Sequence, residues 1–122
     1  MSNNPYTAID HDTVKNLINE LDELPNAEYN AEIALINSYD ALETAKLTLE
    51  LQEAAQFLLA DGKTVKDKEA MVMAATEKEQ RELINKQVEN LKKKAEYNKL
   101  VNKFAAVRKK VGVIESMLNA KL

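Results

Sequence analysis

An all-α fold is predicted, and three observations predict it. The 122 residues include only two glycines and two prolines, too few for the tight turns of sandwiches, barrels or doubly wound sheets. Residues 27–60 contain neither, and Ala, Leu and Glu, all strong helix formers, dominate them. Apolar residues recur every three or four positions, the period of a helix that buries one face.

The elements follow in order within a single elongated domain, 1–122. Residues 1–11 read as a flexible amino terminus. Asp10 or Asp12 can cap a first helix over 12–24, where Val14, Leu17, Ile18, Leu21 and Leu24 line one narrow apolar face. Pro25 is expected to stop it, and Asn26 to cap a second helix over 27–60. Asp61-Gly62 ends that helix, with glycine expected in the left-handed conformation found after helix ends. Thr64 and Asp67 form a capping pair for a third helix over 65–121, in which Gly112 is the one poor helix former. At 1.5 Å per residue, the last two helices would be about 50 and 80 Å long. A compact globule of this size has a radius of gyration near 14 Å. The expected molecule is therefore a long antiparallel hairpin of coiled-coil type with a carboxyl-terminal extension.

The third helix carries two seams. Ile84, Val88, Leu91 and Ala95 repeat at spacings of four, three and four, as in a coiled coil. Tyr97, Leu100, Phe104, Val107, Val111, Ile114 and Leu118 form a second seam on nearly the opposite side. Either the helix bends near 95–98 or its halves face different partners, and length favours a change of partner. The second helix, folded back, would cover 65 to about 97. The second seam then overhangs, half covered by the first helix, and is the expected interface with another copy or a partner. At least a dimer is expected.

Charge is divided between the halves. Residues 1–61 hold twelve acids against two lysines, and residues 62–122 hold eight acids against fifteen bases. The bases concentrate in 86–110, and Arg81, Lys92, Lys99, Lys103 and Lys110 fall within about 20° of one line on a helical wheel. With Arg108 and Lys109 they are the candidate nucleic-acid contacts, since a row of cations matches a phosphate backbone without reading its sequence. Tyr97 and Phe104 have the chemistry to stack on bases, but both lie on the apolar seam and read as core. The plain alternative is a solvated basic face paired with acids of the second helix. Those acids are interspersed with alanine and leucine, which argues against a surface that mimics nucleic acid.

Catalytic signals are poor. There is no cysteine, and the one histidine, His11, sits among expected caps. Glu28 with Glu32 and Glu50 with Glu53 have carboxylate-pair spacing, yet the Glu-x-x-His pairs of di-metal bundles are missing. Phosphate loops, G-x-S-x-G and HExxH are missing too. Met71 and Met73 read as ordinary packing residues. No enzyme activity, metal or cofactor is expected. No run approaches the roughly 18 apolar residues of a membrane span, and no signal peptide is evident, so a cytoplasmic protein without membrane contact is expected.

The segments LTLELQEAAQFLLA, DGKTVKDKEA and YNKLVNKFAAVRKKVGVIESML resemble, in layout, small helical accessory proteins of phage recombination and replication. Over about residues 40–118 the order of elements is similar to that of UvsY-type recombination mediators. The resemblance implies an oligomer that binds single-stranded DNA and works beside recombination proteins, in host cytoplasm if phage-encoded. The rival expectation is an adaptor or inhibitor that presents the 97–118 seam to a host protein, or a structural scaffold.

Overall fold

The computed structural model describes residues 11–121, and among them there are three α-helices and no strand. These are α1 (His11–Leu59), α2 (Val65–Ala75) and α3 (Glu77–Lys121). The capping role given to Asp10, and residues 1–10 of the expected flexible terminus, lie outside the described residues. His11 is already helical.

Two boundaries differ from expectation. The first is at Pro25, where α1 continues without a stop. Proline removes one N–H donor and crowds the carbonyl four residues earlier, here that of Leu21. Pro25 lies on the exposed side of α1, where water can take the released carbonyl, while Leu24 is buried beside it. The second is at Thr76, which divides the expected single helix over 65–121. Its backbone N–H and its hydroxyl both donate to the Val72 carbonyl, at 2.9 and 2.8 Å. Its φ and ψ of −107° and 18° leave the helical region. Hydroxyl bonding to the carbonyl four residues back bends helices, and here it accompanies a break. Gln80 then donates through Nε2 to the Thr76 hydroxyl and to the Met73 carbonyl, both at 3.0 Å, tying the start of α3 to the end of α2.

The turn between α1 and α2 also has a clear local cause. Asp67 N–H donates to the Thr64 hydroxyl at 3.1 Å, an N-cap as the capping pair predicts. Gly62, however, has no positive φ. Glycine is needed there for space, because a Cβ would lie 2.9 Å from the Asp67 Cβ.

The chain forms two compact units. Among the described residues, the first comprises 11–33 with 95–121. Its core is Leu17, Leu24 and Val107, with Leu21, Leu100, Phe104 and Ile114 packed around it. The second unit, 34–94, holds the end of α1, all of α2 and the start of α3. Leu42, Ala45 and Val72 are its buried apolar residues. Ser38 is also buried, and its hydroxyl accepts a 3.1 Å hydrogen bond from the Asn90 side chain, 52 residues away.

The second unit corrects one expected seam. Ile84, Val88 and Leu91 are exposed, while Thr76, Glu79, Gln80, Leu83, Lys86, Asn90 and Lys93 are the buried or half-buried positions. Apart from Gln80 these repeat at three and four, so this side has helical spacing but mostly polar composition. Small side chains on α1 lie on this side: Ser38 accepts from Asn90, and Ala41 and Ala45 border a hollow with Glu79 and Lys86. Met71 and Met73, expected as packing residues, are exposed as well.

Candidate nucleic-acid interface

In the first unit, α3 presents Lys99, Lys103, Arg108, Lys109 and Lys110, all exposed. None of the four lysines is within ion-pair distance of an acid among the described residues. The Arg108 guanidinium lies 5.5 Å from the centre of the Phe104 ring, a cation–π distance. This unit's α1 segment carries Asp12, Glu20, Asp22, Glu23, Glu28 and Glu32 against Lys15. Its acids therefore do not neutralise the cations by direct pairing.

The positions of these cations follow from the seam. Val107 is 3% exposed and Leu24 5% exposed, and Leu100, Phe104 and Ile114 pack with them. With the apolar line turned inward, Lys99, Lys103 and Lys110 fall beside it at the margin, on one flank at spacings of four and seven. A hollow of about 730 Å³ opens here. Leu17, Val113, Ile114 and Met117 make its apolar lining, and Lys109, Lys110 and Glu20 its polar part.

The remaining predicted contacts belong to the second unit. Arg81 is exposed but engaged, with Nη2 2.6 Å from Glu77 Oε1. Lys92 is exposed and makes no ion pair among the described residues. Lys86 and Lys93 lie 3.6 and 3.7 Å from Glu82 and Glu89. These pairs, and Lys46 with Glu43 at 3.1 Å, join residues three or four apart on one helix. Pairing within a helix is thus the recurring pattern, rather than pairing between the acidic and basic halves.

The expected interface seam is placed differently from a free surface. Tyr97, Leu100, Phe104, Val111 and Ile114 are half-buried, Val107 is buried, and Leu118 is exposed. Leu17, Leu21 and Leu24 of α1 supply the packing partner for much of it. Partial burial also withdraws Tyr97 and Phe104 from use as open stacking platforms.

The sequence reading missed the break at Thr76 and the polar inward side of residues 76–93. A signal for the first is present, since T-E-K-E at 76–79 has the form of a helix start. No hydrophobicity pattern would give the second.

No group of three or more His, Cys, Asp or Glu placed to hold a metal ion occurs among the described residues. No described helix is long and apolar enough to cross a membrane. No protein-family model, curated protein or solved structure matches the chain.

Proposed function

We propose that the chain is a non-enzymatic, self-assembling helical accessory protein of phage DNA recombination or replication that holds single-stranded nucleic acid on α3. The observation that carries this reading is the cluster Lys99, Lys103, Arg108, Lys109 and Lys110. Five cations in twelve residues stay exposed, and the four lysines have no acid within pairing distance among the described residues. A surface needed only for solubility gains from mixing both signs. Lys99, Lys103 and Lys110 share one flank of α3, and such a one-signed row is what a phosphate chain recognises, through release of its counterions. The apolar hollow beside Lys109 and Lys110 offers a place for a base while the amines hold flanking phosphates.

The recombination setting comes from the resemblance in layout and adds context to the chemistry. Within the second unit, the Ser38–Asn90 hydrogen bond brings α1 and α3 side by side. The adaptor reading draws less support than it did from sequence, because its proposed surface, 97–118, already packs against α1 residues.

A salt titration with a labelled single-stranded oligonucleotide tests the reading. Five phosphate contacts predict that log K falls with log salt at a slope of about −3.5 for single strands. Different oligonucleotide sequences should bind alike. Absence of binding at about 50 mM salt, where such contacts are strong, would overturn it.

A further inference from the structure

The hollow of about 730 Å³ in the first unit lies at the end of the basic row, and the two share one side of α3. On a helical wheel, Lys99, Lys103, Ala106, Lys110, Val113 and Met117 fall within about 40° of one line. Along the helix the two lysines come first, then small Ala106 and Lys110, and apolar Val113 and Met117 follow. The last four of these residues line the hollow. A polyanion laid along the lysines therefore reaches the hollow without changing sides of the helix.

The two walls of the hollow differ in charge. α3 contributes Lys109 and Lys110, whereas α1 contributes Asn16 and Glu20, and Leu17 and Ile114 add apolar lining. No ion pair joins Glu20 to either lysine among the described residues. An apolar cleft with a few polar groups at defined places is the usual form of a small-ligand subsite.

The occupant that matches these walls has an anion at one end, an apolar body, and a polar edge at the other end. A nucleotide unit has that polarity. Its phosphate suits the lysine wall, and the Glu20 carboxylate repels phosphate from the α1 wall. The faces of the base suit Leu17, Val113, Ile114 and Met117. The Asn16 amide both donates and accepts, so it can meet the edge of any base.

We infer that the hollow takes one unpaired base of a strand held by Lys99, Lys103 and Lys110, and that Val113 and Met117 thereby select single strands over duplex. Lysine contacts with phosphate do not make that distinction, because both forms carry the same backbone charge. A paired base offers only its edges, and it would have to leave the stack to enter the hollow. A base in a single strand has a face to offer, and every base has one, so the selection is for strandedness and not for sequence. The inference rests on the proposed function and assigns the residues that tell strand from duplex.

The test compares a labelled single strand with the same strand annealed to its complement, at about 50 mM salt. Val113→Gln with Met117→Gln makes the wall polar without changing charge, and glutamine suits a helix. The double variant should bind the single strand about tenfold more weakly, the effect of losing roughly 60 Å² of apolar burial. Its duplex affinity and its salt slope should match wild type, because the lysines are untouched. Val113→Gln alone, at a side chain 54% exposed, should keep full helicity and show part of the same loss. A strand containing 2-aminopurine gives a second readout at saturating protein. Its emission should rise as the base leaves its neighbours on wild type, and should rise less on the double variant. Wild type that binds both forms equally, or a double variant that loses both or neither, would overturn the inference. If binding stays steep in salt but ignores the double variant, the lysine row stands and only the base subsite fails. If neither form binds wild type at all, the proposed function fails with it.

Discussion

Single residues set several local choices, and two glycines illustrate opposite ones. Gly112 lies within α3 with nothing near its Cα that a Cβ would meet. Gly112→Ala should therefore stabilise the fold by about 1 kcal/mol, the difference in helix propensity, read as a higher midpoint in urea. Gly62 should behave in the reverse sense, since its missing Cβ leaves room for Asp67 at 2.9 Å. Gly62→Ala is expected to lower the midpoint by loosening the Thr64 cap, a contribution of about 1 kcal/mol. At Glu79, one carboxylate oxygen is buried without a hydrogen-bond partner. It borders a hollow of about 480 Å³ shared with Ala41, Ala45 and Thr48. Glu79→Leu should raise stability by about 1 kcal/mol, because an unmet polar group is removed and apolar surface is added.

Elements depend on which side of each helix finds a partner. In α1, continuity through Pro25 comes from burial of Leu24 on one side and solvent access on the other. Pro25→Ala should restore the donor to the Leu21 carbonyl and stabilise by up to about 3 kcal/mol, with helicity by circular dichroism unchanged or higher. Leu24→Ala should cost about 2–3 kcal/mol, the lower part of the usual range, since the core around it is small. The helical class, the Thr64–Asp67 cap and the 97–118 seam were legible from local signals, because each depends on neighbours a few residues apart. The inward side of 76–93 was not legible. There, polar Thr76, Lys86 and Asn90 face small residues of α1, while Ile84, Val88 and Leu91 point outward. Hydrophobicity marks what a helix can bury, and does not say which of its sides another helix takes. Of the basic row, the helix-wheel positions were legible, but the engagement of Arg81 by Glu77 was not.

For the molecule as a whole, salt is the variable that most directly probes the basic row of α3. If the proposed function holds, the row Lys99, Lys103 and Lys110 should lose nucleic acid steeply as salt rises. The acidic half does not cancel that strip by direct ion pairs, although it lowers the local potential over a Debye length of about 8–10 Å. Nucleic-acid binding without base preference, made stronger by joining copies along a strand, is the expected consequence. The most direct measurement is the affinity of single-stranded DNA, at about 50 mM salt, for wild type and for Lys99→Gln/Lys103→Gln/Lys110→Gln. These side chains are exposed, so helicity and assembly should be unchanged. Loss of three phosphate contacts should weaken binding by on the order of a hundredfold or more and flatten the salt slope by about 2. Equal affinity and equal slope for the two proteins would contradict the account.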